Sequence, residues 1–151
     1  MPLIEHRQFI KAPVEICFDL ARNVEIHTQT TSKTKERAVG GVTEGLLVKG
    51  DTVTWEATHF GIKQRLTAKV TLMEAPHKFV DVMVRGAFQS FTHTHQFLEA
   101  DGGTIMIDQF QYQSPFGLIG VAADKLFLER YMRGFIVSRA MELKKIAEKL
   151  N

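Results

Sequence analysis

The chain is poor in cysteine, in polar aromatic residues and in long runs of any one kind, and each shortage removes a class of function. Its single cysteine, Cys17, excludes an intrachain disulfide framework and suits a reducing, cytoplasmic setting. Cys17 sits among apolar positions of a predicted helix, which reads as a buried structural thiol rather than a nucleophile. No stretch approaches the roughly 18 apolar residues of a membrane span, and the first residues run straight into a strand-like segment. A soluble protein without a membrane span is therefore expected. No run of roughly five or six like charges occurs, and the net charge is only +2. Lys33, Lys35 and Arg37 alternate with Thr34 and Glu36, as on the solvent face of a strand, so nucleic-acid binding through a basic stripe is not expected. A phosphate-cradling loop is also missing: Gly117-Leu118-Ile119-Gly120 lacks the lysine and the spacing. No serine stands in a nucleophile-elbow context.

What is present is phenylalanine. Eleven Phe stand against one Trp and two Tyr, which supplies aromatic volume with few polar tips and suits a greasy core or cavity wall. At 151 residues the chain suits one domain, residues 1–151, large enough to bury a core without staples. Leu3 to Ile10 reads as a first strand. Two short helices follow, Val14 to Leu20 behind Pro13 and Asn23 to Gln29. Lys33 to Val39 reads as a strand stopped by Gly40-Gly41. A series of alternating segments comes next: Asp51 to Phe60, Ile62 to Met73, Phe79 to Arg85, Ser90 to Leu98 and Thr104 to Tyr112. Their connections are short, so the sheet is antiparallel and mostly a meander. From Phe116 to Leu150 there is no proline and the period changes to about 3.6. Leu128, Met132, Phe135, Arg139 (its stem), Leu143, Ile146 and Leu150 form the predicted inner stripe, with a bend at Gly134. This segregated order predicts an α+β fold in which a curved sheet of about seven strands wraps one long C-terminal helix. Space between sheet and helix is where a small ligand goes.

Strand side chains alternate, so faces separate by parity. Phe91, His93, His95 and Phe97 share one face; Ser90, Thr92, Thr94 and Gln96 share the other, which reads as solvent-facing. A hairpin through Gly86 to Gln89 places Arg85 near Phe91, Met83 near His93, Asp81 near His95 and Phe79 near Phe97. The turn at Asp101 to Gly103 places Asp108 near His95, Phe110 near His93 and Met106 near Phe97. A two-residue turn at Phe60-Gly61 aligns Trp55 with Leu66 and Ala57 with Gln64. The result is an inward Asp81–His95–Asp108 cluster, with His93 and Tyr112 further along. Buried carboxylates beside imidazoles require pairing. The cluster reads as a structural polar ladder, as a reader of a ligand's polar end, or as a catalytic group with His95 as general base oriented by Asp81 or Asp108. Inward strand histidines are more often hydrogen-bonded than metal-bound, so neither a metal nor another cofactor is expected. His59 shares the parity of Trp55 and belongs either at a cavity mouth or in solvent, and Arg85 either meets a ligand carboxylate or makes a rim salt bridge. Arg139 reads as a snorkelling side chain more readily than as an anion receptor. Val80, Val82, Val84, Ile105 and Ile107 make an outward apolar strip, suited to a second copy of the chain if no strand is inverted.

The element order resembles the SRPBCC superfamily, whose helix-grip fold is shared by START lipid-transfer domains, the birch pollen allergen and polyketide cyclase/dehydrase-like proteins. Phe79-Val80-Asp81-Val82, Arg85-Gly86, His93-Thr94-His95-Gln96-Phe97, Asp108 and Tyr112-Gln113-Ser114-Pro115-Phe116-Gly117 are similar to a bacterial ligand-binding subfamily in which an arginine, here Arg139, recurs late in the final helix. The resemblance covers essentially the whole chain. It implies a deep pocket for a lipid, polyketide or other hydrophobic metabolite, without implying an enzyme. The residues expected to meet that ligand are Trp55, Leu66, Asp81, Met83, Arg85 and Phe91, then His93, His95, Phe97, Met106, Asp108, Phe110 and Tyr112. The alternative is a cyclase, dehydratase or hydrolase using His95 with Asp81 and Asp108.

Overall fold

Alternating apolar residues build one seven-stranded antiparallel sheet. A computed structural model describes residues 2–114 and 127–151. The strands are β1 (Leu3–Ile10), β2 (Arg37–Gly41), β3 (Thr52–His59), β4 (Ile62–Glu74), β5 (Lys78–Arg85), β6 (Ser90–Ala100) and β7 (Gly103–Gln113). Between β1 and β2 lie helix α1 (Val14–Ala21) and helix α2 (Val24–Thr30), and the chain ends in helix α3 (Glu129–Leu150). The sheet order is β1-β7-β6-β5-β4-β3-β2. Strands β2 to β7 form a continuous meander, and β1 closes onto β7. The two short helices therefore carry the chain from one sheet edge to the other. Among the described residues, no helix is long and apolar enough to cross a membrane.

Local chemistry sets these boundaries. Asn23 caps α2, its side-chain oxygen accepting from the Ile26 amide at 3.0 Å. The β3–β4 hairpin turns through Phe60 and Gly61, both at positive φ (53° and 76°), the pair of left-handed residues that a two-residue hairpin turn of matching twist requires. It aligns Trp55 with Leu66 and Ala57 with Gln64, as the sequence predicts. At the start of β7, a Cβ on Gly103 would lie 2.2 Å from the Ile10 carbonyl oxygen, so only glycine allows β7 to pass this close to β1.

Several sequence expectations need correction. The segment 33–36 is not strand: Ser32–Thr34 form a single 3₁₀ turn, Lys35 is left-handed and β2 begins only at Arg37. The strand then runs through Gly40 and Gly41 rather than stopping there. Helix α3 passes Gly134 without interruption, and its expected start at 116–126 lies outside the described residues. Its buried stripe is Met132, Ile136, Ala140, Leu143 and Ala147, while Leu150 is exposed. Small alanines, Ala140 and Ala147, take two of these buried positions within the packed cluster, and the longer Phe135 and Arg139 flank the stripe, toward open space. The β5–β6 register is offset by two residues from the expected one: Phe79 pairs with His95 and Asp81 with His93. An even offset leaves every side chain on its expected face.

The sheet's concave face packs on the helices in two parts. At the end nearer the C-terminus, Phe18 of α1 meets Phe79 and Phe97 edge-on, each at a ring separation of 5.5 Å. Ile10, Cys17, Met106, Ala140, Leu143 and Ala147 complete this cluster. Cys17 is buried, and burial raises its thiol pKa, consistent with a structural role. At the other end, Ile4, Ala68, Phe91, Phe110, Tyr112, Met132 and Ile136 form a second cluster, and Val24, Val53 and Trp55 a third. The space between these parts is not filled.

Candidate functional site

That unfilled space is a cavity of about 420 Å³ between sheet and α3, within the range of ~300–1,000 Å³ common for small-molecule pockets. Trp55 and Leu66 form part of its wall from β3 and β4, and Phe91 and Phe110 from β6 and β7. Met132, Phe135 and Ile136 of α3 face them. The β3–β4 hairpin tip reaches the helix here: Phe60 packs on Tyr131 at 4.4 Å between ring centres, and His59 Nδ1 is hydrogen-bonded to the Tyr131 hydroxyl. Burial lowers the His59 pKa and raises that of Tyr131. His59 thus lies at the cavity, the first of the two expected places.

Polar groups enter the cavity from two sides. From the sheet come Asp81, His93 and His95. His95 Nε2 donates to Asp81 Oδ1 at 2.9 Å, and its Nδ1 lies 3.3 Å from Asp108 Oδ1. His93 Nε2 donates to the same Asp108 oxygen at 3.0 Å, and the two imidazoles stack at 3.8 Å. The Asp81–His95 bond is diagonal, since the residue directly opposite Asp81 is His93. Burial opposes the charged form of every member. For His95, hydrogen bonds to Asp108 and Asp81 outweigh burial and raise its pKa. His93, buried and repelled by His95, has a lowered pKa. Asp108 and Asp81 are held well below the usual carboxylate range, hydrogen bonds from the histidines overcoming burial. With a carboxylate at each ring nitrogen, His95 is biased toward the imidazolium.

From the helical side come His27, Glu36 and Arg139. His27 Nε2 is hydrogen-bonded to Glu36, and the imidazole stacks on Trp55 at 3.9 Å. Burial and the charge of Arg139 lower the His27 pKa. Glu36 is shifted downward although burial opposes it, through His27 and Arg139. Sequence reasoning misses this pair. Along the chain Glu36 reads as one of an alternating charged series, and His27 falls in a short helix with no period to mark its face.

The residues expected to meet a ligand divide by position. Trp55, Leu66, Asp81, Phe91, His93, His95 and Phe110 line the cavity. Asp108 and Met106 lie behind it, around a smaller recess that also borders His93, His95 and Arg139. Phe97 and Tyr112 are fully buried in packed side chains rather than on the wall. Met83 packs at the edge of the second cluster. Arg85 is exposed at the end of β5, opposite Thr67 and away from the cavity. Asp81, His93 and His95 also present ligand atoms within 4.8 Å of one another, a spacing that could hold a metal ion. Each of these side chains is already engaged in a hydrogen bond. On the outer face, Val80 and Val82 of β5 are separated from Ile105 and Ile107 of β7 by the polar Thr92, Thr94 and Gln96 of β6. The expected apolar strip is therefore split in two.

The family model described as polyketide cyclase / dehydrase and lipid transport matches residues 10–135. The chain belongs to this family. It is thereby an SRPBCC-type protein with the helix-grip fold that the element order led us to expect. No curated protein matches the sequence. Among solved structures, TTHA0849 from Thermus thermophilus superposes with a TM-score of 0.78 at 20% identity, covering 95% of each chain. The major latex-like protein 151 of Panax ginseng does so at 0.72 and 10% identity, covering 97% of each. The di-domain ARO/CYC StfQ of the steffimycin biosynthetic pathway gives 0.77 at 13% identity, over 97% of this chain and 50% of its own. At such identities the likeness is one of fold. Family and fold together point to ligand binding or polyketide cyclase-like function for this polyketide cyclase / dehydrase and lipid transport family member.

Proposed function

We propose that this SRPBCC protein is a cytoplasmic, single-domain binder of one small hydrophobic molecule of lipid, polyketide or aromatic type, held between sheet and α3. The observation that carries the reading is a largely apolar cavity of about 420 Å³, several of whose polar side chains are paired with one another: His27 with Glu36, His59 with Tyr131 and His95 with Asp81. Such a wall favours an apolar guest at about 25 cal/mol per Å² buried and leaves a limited polar edge to orient it. Native mass spectrometry of the purified protein, combined with displacement of a fluorescent apolar probe, tests the proposal. One-to-one adducts and saturable displacement are expected. A protein that carries no adduct and takes up no probe ends this reading.

A second reading, an enzyme of cyclase, dehydratase or hydrolase type, is favoured by one observation: His95 and Asp81 border the cavity rather than being sealed from it. In that case His95, biased toward the imidazolium, serves as proton donor. His27, whose pKa is lowered, is the imidazole free to accept a proton. Turnover of a candidate substrate that His27→Gln abolishes, with the fold intact by circular dichroism, would establish catalysis. Undiminished turnover in that variant removes His27 from the chemistry.

A further inference from the structure

Arg139 is a cavity-lining cation whose hydrogen bonding is incomplete among the described residues. A guanidinium carries five N–H donors in a planar fork. Here one of them, Nη2, reaches a protein acceptor, the Ala21 carbonyl, at a long 3.4 Å. Its Nε is buried and has no hydrogen-bond partner among the described residues. Among the described residues no acid forms an ion pair with it: Glu36 is hydrogen-bonded to His27, Asp81 to His95 and Asp108 to His93, while the charges of Glu36 and Asp81 act on it from further off. A half-buried guanidinium whose buried Nε lacks an acceptor among the described residues is costly to keep, and an incoming acceptor recovers part of that cost. Arg139 also stands between the main cavity and the smaller recess behind it, bordering both.

We propose that Arg139 is the receptor for an anionic oxygen group, a carboxylate or enolate, at one end of the otherwise apolar ligand. The inference rests on the ligand-binding reading and adds to it the chemical class of the guest. Met132 and Phe135 precede Arg139 by seven and four residues on the same side of α3 and line the same cavity. At 1.5 Å per residue, Met132 to Arg139 spans about 10 Å along the helix, room for a fused-ring or short acyl body with its charged end at the arginine. The fork geometry suits two-pronged contact with a planar oxyanion, which a lysine's point charge would not reproduce.

Two fluorescent probes with the same arylamine skeleton test this: anilinonaphthalenesulfonate, which is anionic, and phenylnaphthylamine, which is not. One-to-one complexes are counted by native mass spectrometry and dissociation constants measured by fluorescence titration. The wild type is expected to bind the anionic probe about tenfold more tightly or better, since hydrogen bonds to charged groups contribute ~1.5–3 kcal/mol. Arg139→Gln is expected to abolish the preference and bring the two probes to parity. Arg139→Lys is expected to keep a smaller preference, and it serves with the wild-type comparison should Arg139→Gln fail to fold. Equal affinities in the wild type, or a preference that survives in Arg139→Gln, overturn the assignment of Arg139 and leave the binding reading standing. If neither probe binds the wild type, the binding reading falls and this inference falls with it.

Discussion

The two ends of the concave sheet face both carry aromatic side chains and yet do opposite things. At one end, Phe79 and Phe97 are met by Phe18 of α1 and by the small Ala140 and Ala147 of α3, which let helix and sheet close together. At the other, Phe91 and Phe110 face Met132, Phe135 and Ile136 across open space. What differs is the covering layer. Helix α1 packs Val14, Cys17 and Phe18 into the closed end, and of its residues Ala21, the last, lines the cavity. The His93–His95–Asp81–Asp108 cluster lies at the border between the two, bordering both the main cavity and, through Asp108, the recess toward the packed end. The cavity is thus bounded by the short helices without being filled by them, since Ala21, Val24 and His27 line it, and the polar cluster marks where packing stops.

The strongest way to break that contrast is to truncate an equivalent aromatic at each end. Phe97→Ala, in fully packed surroundings, is expected to cost about 4 kcal/mol. Phe91→Ala, beside space already empty, is expected to cost less than half of that, both read by urea unfolding. Equal losses would mean that the cavity end is as well packed as the other. Asp108→Asn comes next. Removing one charge from a buried hydrogen-bonded pair is expected to cost about 3 kcal/mol. The same variant is expected to lower the His95 pKa, visible in ¹⁵N-detected imidazole titrations. An unmoved His95 would show that Asp81 alone holds its proton.

A smaller effect follows from pH. Because His95 is raised in the folded state, its contribution is fully present below the unfolded imidazole value of about 6.5 and is lost as pH rises through the folded value. The stability gap between wild type and Asp108→Asn is therefore expected to narrow as pH climbs past the folded His95 pKa. It also narrows in acid, because Asp108, whose pKa is depressed, contributes above the unfolded carboxylate value of about 3.9 and loses that contribution as pH falls toward its folded value. A gap that is flat between neutral and alkaline pH contradicts the imidazolium assignment. Ala57→Leu should disturb the fold least. Ala57 lines the cavity, so the added atoms enter empty space, and stability is expected to shift by less than about 1 kcal/mol. Probe binding is expected to fall at least tenfold, which separates occupancy of the cavity from integrity of the core.

Turn chemistry and parity make much of this arrangement readable from the chain alone. The Phe60-Gly61 dipeptide sets the Trp55–Leu66 pairing, and alternation in β6 places Phe91, His93, His95 and Phe97 on one buried face. The β6–β7 partners, His95 with Asp108 and His93 with Phe110, follow from the Asp101–Gly103 turn. The β5–β6 offset does not, because Gly86 to Gln89 signals a turn without stating where pairing resumes, and it resumes two residues away from the symmetric position. In α3 the expected stripe differs from the observed one because alanines carry little hydropathic signal, although they are what close approach selects.

Element order, the face of each central strand and the inward histidines among phenylalanines all rest on local rules of period and turn, which act within a few residues and can be read along the chain. Which groups meet is a property of the whole fold. Asp81 reaches His95 diagonally rather than across the ladder, and Glu36 turns inward to His27. Tyr131 meets His59 from 72 positions away in the chain, and Arg139 faces the cavity with its Nε unpartnered among the described residues. The first two depend on strand register and on how α2 packs, the last two on how far α3 stands from the sheet, and all are set by packing across the whole molecule rather than by any local pattern.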